Sequence, residues 1–266
     1  IRLWKNDDPS VGEEKDLQGI RELIFKFLGD KGNALRVFGP SGFGKTRFVY
    51  ELINAGREPD DALDANQVVY CNYDDVGDRL LNLAREMADS GSRAILIVDD
   101  CPNPIHTRLS EIAHRQGSKC NVITIGVESK AQSMRKNLVV KLTPASDEHI
   151  VDIACAVHER AKGRNATLVR DLAQGFPRMA VFAARALEDK DFELGSVEAL
   201  ISRIVWGERG EDASALESLQ FLSLFTLVGV EGDVGSELEE LANFTGRNSQ
   251  AIFGDLASFA ETGVIL

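Results

Sequence analysis

The residues with the clearest chemical pattern lie between positions 39 and 46. Their sequence, Gly-Pro-Ser-Gly-Phe-Gly-Lys-Thr, fits G-x-x-x-x-G-K-[ST] at every fixed position. Glycines let a backbone wrap phosphate groups with its N–H groups inward, Lys45 brings a positive charge to the β- and γ-phosphates, and the Thr46 hydroxyl can ligate Mg²⁺. The pattern predicts a phosphate-binding loop, the P-loop, with candidate nucleotide contacts at Gly39, Pro40, Ser41, Gly42, Phe43, Gly44, Lys45, Thr46 and Arg47.

Two adjacent carboxylates, Asp99 and Asp100, follow an apolar run at residues 95–98. Ligands bind at the C-terminal edge of a parallel sheet, so a carboxylate there can reach a metal at the P-loop. We expect Asp99 to hold Mg²⁺ through water beside Thr46, and Asp100 to orient or deprotonate the attacking water. Neighbouring strand residues face opposite sides, so both carboxylates reach the site only if the backbone turns where the strand ends.

The sequence Gly175-Phe176-Pro177-Arg178 separates two predicted helices. The turn could rest on the nucleotide and direct Arg178 at a phosphate. Glycine after one helix and proline at the start of the next are also ordinary helix punctuation, and the local sequence favours neither interpretation.

A fourth apolar run, at residues 121–128, should end beside the same site. Thr124, Glu128 or Ser129 could supply a polar sensor of the γ-phosphate. An ordinary core strand with a polar exit explains the run equally well.

Alternating elements must position these groups. Apolar runs predict strands at 35–38, 67–72, 93–98, 121–126 and 137–142, and helical spacing predicts helices at 14–28, 45–55, 76–89 and 104–116. Continuous apolar strands separated by helices are typical of a parallel sheet covered on both faces. We therefore predict an α/β fold, with a five-stranded parallel P-loop nucleotide-binding sheet in residues 1–144.

The rest of the chain has a helical pattern. Helices predicted at 150–159, 165–173 and 178–187 form a small helical lid domain, assigned to residues 145–206. Further helices at 216–227, 237–245 and 248–262, followed by a strand-like end at 263–266, predict a truncated winged-helix domain in residues 207–266. A plain helical bundle is the alternative for this last part.

Composition limits the classes of partner. The chain has 266 residues and a formal net charge of −12, and such an acidic chain is a poor non-specific nucleic-acid binder. No apolar run approaches the roughly 18 residues of a membrane span, and no signal peptide opens the chain. Four separated cysteines without a C-x-x-C pair favour reduced thiols and a cytoplasmic location. The first residue, Ile1, suggests an excised piece of a longer chain.

With these features in order, the chain resembles the STAND class of signal-transduction NTPases, which includes apoptosis ATPases, plant NB-ARC proteins and bacterial antiviral proteins. The resemblance covers nearly the whole chain: the segment Val11-Gly12-Glu13-Glu14, the P-loop, the Asp99-Asp100 strand end, the Gly175-x-Pro177 turn and the expected winged helix. It implies ATP or ADP with Mg²⁺ as cofactors, slow ATP hydrolysis, and homo-oligomerisation on activation. It also implies effector and sensor domains of a longer parent chain, or a protein trigger, in antiphage defence or another regulatory response.

The resemblance also implies further nucleotide contacts. The segment with Val11 and Gly12 packs near the adenine in this class, and Pro177 would touch the base or ribose and hold the lid over ADP. The sequence departs from the class at two places: Glu13 stands where arginine is expected, and the fourth strand lacks its usual sensor arginine. Arg178 is the candidate replacement for that sensor.

Three functions are compatible with these features. The first is a nucleotide-driven switch, in which ADP holds the lid and winged helix closed and ATP with a trigger opens them. The second is an AAA+-like ATPase acting on DNA. Charge disfavours it, because residues 211–266 carry ten acidic residues and only one basic residue, Arg247. The third is a kinase or uridylate-type transferase, for which no acceptor pocket is evident in the sequence.

Overall fold

The protein is described here as a computed structural model covering residues 2–5, 13–14, 17–29, 31–54, 67–77, 79–127, 137–188, 196, 201, 212–223 and 236–261. The chain divides into two compact units. Unit 1 comprises residues 1–146 with 175–178, and unit 2 comprises residues 147–174 with 179–266. The division into three domains, at 1–144, 145–206 and 207–266, stays a prediction.

Unit 1 contains a seven-stranded sheet in the order β2-β1-β7-β3-β6-β5-β4. Its strands are β1 (Arg2–Lys5), β2 (Glu13–Glu14), β3 (Ala34–Phe38), β4 (Val68–Asn72), β5 (Ala94–Asp99), β6 (Cys120–Gly126) and β7 (Leu138–Lys141). Strands β3 to β7 pair in parallel, which confirms the predicted five-stranded parallel sheet. The strand before the P-loop and the strand that ends in Asp99 are therefore separated by β6 alone.

Helices follow the strands of this sheet: α1 (Leu17–Phe27), α2 (Lys45–Asn54), α3 (Tyr73–Val76), α4 (Arg79–Asp89) and α5 (Asn103–Ala113). Helix α1 buries Ile20 and Ile24, one turn apart, in a cluster with apolar residues of β3, β5, β6 and β7. A second apolar cluster joins α4 and α5 to β5 and β6. All seven residues of β6 are buried, as expected for a strand with neighbours on both sides and on both faces.

The structure differs from the sequence predictions in three ways in unit 1. Strands β1 and β2 extend the sheet through antiparallel pairing of β1 with β7 and β2, whereas no strand was predicted in the N-terminal segment of mixed polarity. Glu14 lies in β2, so α1 begins at Leu17 and the predicted helical start at residue 14 is wrong. The helix predicted at 76–89 is interrupted at Gly77, whose φ of 53° ends α3 before α4 begins.

Unit 2 is helical. Helices α6 (Asp147–Val157) and α7 (Arg164–Ala173) are joined through a 3₁₀ turn at Glu159–Ala161, and α8 spans Pro177–Ala186, beginning at the two residues that belong to unit 1. Helices α9 (Ala213–Leu222), α10 (Ser236–Thr245) and α11 (Ser249–Glu261) follow. No helix among the described residues is long and apolar enough to cross a membrane.

The last three helices share a small apolar core. Leu238, Leu241 and Ala242 of α10 pack with Ile252 and Leu256 of α11, and Phe221 and Leu222 of α9 pack against them. These helices lie close to the positions predicted for a winged helix. The hairpin expected at 263–266 falls outside the described residues, so the winged-helix assignment stays a prediction.

Candidate nucleotide site

The P-loop connects β3 to α2, as the sequence predicts. Gly42 and Gly44 have φ angles of 80° and 79°, which ordinary side chains rarely adopt, so glycine is required at both turns. Lys45 begins α2, and its Nζ donates to the carbonyl oxygen of Pro40 within the loop (3.0 Å). Burial lowers the pKa of Lys45, and the charges of Asp99 and Asp100 oppose that shift. Lys45 is therefore close enough to interact electrostatically with both carboxylates.

The predicted metal end of the site forms one short hydrogen bond. Thr46 Oγ1, at the start of α2, donates to Asp99 Oδ2, at the end of β5, over 2.7 Å. Asp99 is only 7% exposed, and its other oxygen, Oδ1, accepts from the backbone N–H of Asp100 (2.9 Å). The two residues proposed as metal ligands are thus brought together from positions 53 residues apart.

Asp100 takes a conformation that turns the chain off the strand. Its φ is 49°, a left-handed value that is uncommon for a residue other than glycine. Because the backbone turns here, Asp99 and Asp100 need not face opposite sides of the sheet. The predicted roles require such a turn, since both carboxylates must reach the P-loop. The charges of both carboxylates also favour a raised pKa at Lys45 and at the Tyr70 hydroxyl.

The neighbouring strand β4 supplies two functional candidates that the sequence interpretation missed. Tyr70 donates its hydroxyl to Asp99 Oδ2 (2.9 Å), and Asn72 Nδ2 donates to Asp100 Oδ2 (3.0 Å). The two residues are two positions apart, so their side chains leave the same face of the strand. Asn72 pairs with Asp99 in the parallel ladder, which brings the polar end of β4 level with the carboxylates.

The environments of these two donors differ. Burial and the hydrogen bond to Asp99 raise the pKa of Tyr70 to about 12, so the phenol keeps its proton and stays a donor. Asn72 Oδ1 accepts from the backbone N–H of Asp74 and caps α3, which fixes the orientation of the amide. The signal in the sequence was the polar ending of the strand predicted at 67–72, but strand order was needed to use it.

The turn from Gly175 to Arg178 docks on the P-loop within unit 1. The backbone N–H of Arg178 donates to the carbonyl oxygen of Gly42 (3.1 Å), and the Phe43 and Phe176 rings meet edge to face with centroids 4.6 Å apart. A Cβ at Gly42 would lie 3.1 Å from the Cβ of Arg178, so the approach of the two backbones is close. The turn thus touches two of the P-loop residues.

The other side of the turn is anchored on the segment after β7. Gly175 accepts a hydrogen bond from the N–H of Ala145 (2.8 Å), and a Cβ at Gly175 would stand 2.6 Å from the Cβ of Pro144. Gly175 also has a φ of 84°, so glycine is required on two independent grounds. Helix punctuation alone does not explain this glycine.

The remaining candidates have varied positions. Arg47 forms an ion pair with Glu51 and stacks over Tyr50, with its guanidinium carbon 5.2 Å from the ring centroid. Thr124 is fully buried and bonds to His106 and Arg36, which is the core-strand alternative rather than a phosphate sensor.

Four predicted positions lie outside the described residues: Val11 and Gly12, expected near the base, and Glu128 and Ser129, considered as sensors. The role of Pro177, which begins α8, as a contact to base or ribose likewise stays a prediction.

The donor set of this site fits a nucleotide with Mg²⁺. A hydroxyl from Thr46 and a carboxylate from Asp99 are the hard oxygen ligands that Mg²⁺ prefers, and such sites commonly use one or two protein groups together with substrate phosphates. The loop backbone, the N-terminus of α2 and Lys45 supply the complementary anion site. No group of three or more His, Cys, Asp or Glu able to hold a metal occurs among the described residues.

No family model matches the chain, and no curated protein matches it significantly. Solved structures do match. A point variant of RuvB from Thermotoga maritima aligns with a TM-score of 0.51 at 14% identity, over 89% of this chain and 81% of that one. A structure of Drosophila ORC bound to DNA aligns with a TM-score of 0.50 at 16% identity, over 91% and 77%. Both are AAA+ P-loop ATPases, and the likeness establishes a P-loop NTPase fold for this chain.

Proposed function

We propose that this chain is the nucleotide-binding module of an ATP/ADP-dependent switch of the STAND class. In this proposal it binds ATP with Mg²⁺, hydrolyses it slowly, and uses the bound nucleotide to control oligomerisation and signalling. The fold supports a P-loop NTPase, and the residues of the site support the more specific function.

The chemistry assigns one role to each residue. The P-loop N–H groups and Lys45 would bind the phosphates, and Thr46 and Asp99 would hold the metal. Mg²⁺ bound there would neutralise charge that develops on the phosphate oxygens during transfer. Asp100 orients the attacking water and accepts its proton as the water oxygen bonds to the γ-phosphorus and the bond to the ADP oxygen breaks. Asn72 holds the Asp100 carboxylate in position.

The contact of the Gly175–Arg178 turn with the P-loop is the observation that carries the switch. The turn touches Gly42 and Phe43, so a change of phosphate occupancy in the loop bears directly on the turn and on α8, which begins there. A ligand shifts a two-state equilibrium only by its difference in affinity for the two states. ATP and ADP differ by one phosphate, which Arg178, next to the loop, would sense.

Partners follow from the same proposal. We expect homo-oligomers on activation, with effector and sensor domains of a longer parent chain or a protein trigger. Nucleic acid is not expected to bind the C-terminal helices. The one basic residue of positions 211–266, Arg247, is paired with Asp255 (2.9 Å) and bonded to Ser218, so it neutralises charge within unit 2.

The second candidate is an AAA+-like ATPase that acts on DNA, which is suggested by one of the similar structures, Drosophila ORC, being bound to DNA. One experiment separates the two. The purified chain is denatured to identify any bound nucleotide, and ATP turnover is then measured with and without duplex DNA. Retained ADP and turnover indifferent to DNA would support the switch, whereas an empty site with DNA-stimulated turnover would favour the second candidate.

A further inference from the structure

A buried arginine contacts the residue that follows the two carboxylates. Arg36, at the middle of β3, is 1% exposed, and its Nη1 donates to the carbonyl oxygen of Cys101 (2.8 Å) and to Thr124 Oγ1 (3.2 Å). The sequence of β3, Ala-Leu-Arg-Val-Phe, otherwise consists of apolar residues. Burial of a guanidinium is costly, and burial lowers the pKa of Arg36. An apolar residue would fill a core strand at lower cost.

The hydrogen bond from Arg36 restrains the backbone of Cys101, the residue that follows Asp99 and Asp100. The Cys101 N–H donates to the carbonyl oxygen of Ile125 in β6 (2.8 Å), and its own carbonyl accepts from Arg36. Cys101 is thus held at both backbone groups, directly after Asp100 with its left-handed φ of 49°. A residue in that conformation is strained and persists only when its surroundings over-determine it.

Space for the guanidinium is provided by Gly126, at the end of β6. A Cβ at that position would stand 2.7 Å from the Arg36 Cζ, in contact with Nη2, and 3.0 Å from the Cys101 carbonyl oxygen. Any side chain larger than glycine would therefore displace either the guanidinium or the carbonyl. Three separate positions in the sequence, 36, 101 and 126, are matched to one another.

The second hydrogen-bond partner of Arg36, Thr124, belongs to a polar network. Asn137 Nδ2 donates to His106 Nε2 (3.0 Å), His106 Nδ1 donates to Thr124 Oγ1 (2.7 Å), and Ser110 Oγ donates to Asn137 Oδ1 (2.7 Å). His106 helps to position the Thr124 hydroxyl beside Arg36. The described hydrogen bonds of the Ser110 side chain go to Asn137 and His114, and none goes to Arg36, Thr124 or Cys101. The network therefore contains an internal control for a purely structural role.

We propose that Arg36 is a positioning residue for ATP hydrolysis: by clamping the Cys101 carbonyl, it holds Asp100 in the left-handed turn that directs its carboxylate at the attacking water. The proposal rests on the proposed function and deepens it. Arg36 acts through Cys101 and Asp100 and makes no contact with the nucleotide in this account. Loss of the clamp lets residues 99–101 relax towards an extended path, which misplaces the base without emptying the P-loop.

The first test replaces the guanidinium. Arg36→Met is expected to lower the single-turnover rate of ATP hydrolysis by about tenfold, a part of the roughly 10²- to 10⁴-fold that a general base contributes. Affinity for a fluorescent ADP analogue should be unchanged. Ser110→Ala is the matched control, because it also breaks a buried hydrogen bond of the network and should lower thermal stability without changing the hydrolysis rate.

A double-mutant cycle identifies the route. If Arg36 acts through Asp100, Arg36→Met should change the rate less than about twofold in the Asp100→Asn background, since the group that it positions is already gone. Equal losses in both backgrounds, or a full rate in Arg36→Met alone, would overturn the inference. Loss of hydrolysis in Asp100→Asn would leave the proposed ATPase standing in either case, whereas a wild-type chain without hydrolysis overturns both.

Gly126→Ala decides the matter if Arg36→Met does not fold. The added methyl group should push the guanidinium off Cys101 and slow hydrolysis by about the same factor as Arg36→Met. Combined with Arg36→Lys, whose slimmer side chain leaves room for the methyl group, it should cost less than it does in the wild type. A Gly126→Ala chain that is folded, binds ADP and hydrolyses ATP at the wild-type rate would contradict the clamp.

Discussion

The two ends of the candidate site are held in different ways. At the carboxylate end, Asp99 and Asp100 receive hydrogen bonds from Thr46 of α2 and from Tyr70 and Asn72 of β4. At the P-loop end, the described contacts of the Gly175–Arg178 turn with the loop include a backbone hydrogen bond and an edge-to-face contact between aromatic rings.

This difference suits the two tasks of a switch. Charge-assisted hydrogen bonds from rigid elements keep a catalytic group within the narrow limits that proton transfer requires. A neutral hydrogen bond and a ring pair are together worth about 1–3 kcal/mol, which a difference in ligand affinity can overcome. In the proposed switch, the carboxylate end would stay in place and the turn would release.

The largest expected effect removes both functions together. Lys45→Ala should abolish measurable nucleotide binding, and hydrolysis with it, because the loop loses its one full positive charge towards the β- and γ-phosphates. Binding of a fluorescent ADP analogue measures the effect. Lys26→Ala, an exposed lysine of α1, is the control and should bind normally. Unchanged ATP affinity in Lys45→Ala would contradict the assignment of the site.

Asp100→Ala should separate binding from turnover. We expect unchanged ADP and ATP affinity and a hydrolysis rate lower by roughly 10²- to 10⁴-fold, since the general base is lost while the P-loop is intact. Rapid-quench measurement of phosphate release under single-turnover conditions provides the test. If nucleotide affinity falls in parallel with the hydrolysis rate, Asp100 contributes to nucleotide binding and is not a general base alone.

The sequence predicted much of this arrangement and failed where distant residues meet. The P-loop and the strand before Asp99 are local patterns, so position and spacing were sufficient. Tyr70 and Asn72 escaped notice because their partners lie 29 and 28 residues away and depend on β4 being the neighbour of β5. Arg36 escaped notice because its partners, Cys101 and Thr124, lie 65 and 88 residues away. Local periodicity contains no information about such pairs.

Asn72 offers a smaller and more selective change. Asn72→Ala should slow hydrolysis by about tenfold at unchanged nucleotide affinity, because the Asp100 carboxylate loses the donor that orients it. Asn72→Asp keeps an oxygen to cap α3 but replaces the donor with a second carboxylate. Both variants should therefore be slow. A normal rate in Asn72→Asp alone would show that the helix cap matters and the contact with Asp100 does not.

Phe176→Ala tests the contact between the Gly175–Arg178 turn and the P-loop. Loss of the ring contact with Phe43 removes about 0.5–1.5 kcal/mol, which should weaken ADP retention by about two- to tenfold while bound ATP is hydrolysed at the normal rate. Dissociation of a fluorescent ADP analogue measures retention. Phe253→Ala, a half-exposed ring on α11, controls for the general loss of a phenylalanine. Slower hydrolysis with unchanged ADP retention would reverse the roles assigned to the two ends.

The smallest effect concerns the Tyr70 phenol at the carboxylate end. The chain has three tyrosines, so the phenolate absorbance lost in Tyr70→Phe isolates the titration of this one. Burial and the Asp99 contact raise its pKa to about 12 from an ordinary value of 10.0, so the stabilising bond should be fully present below pH 10 and lost as the pH rises towards 12. Because the ring is 55% exposed, the loss of stability should be slight. Asp99→Asn should lower the midpoint, since a neutral amide no longer repels the phenolate. A titration midpoint near pH 10 in the wild type would mean that Tyr70 does not donate a hydrogen bond to Asp99. The carboxylate end would then be held by Thr46 and Asn72 without Tyr70, and its difference from the turn would be smaller.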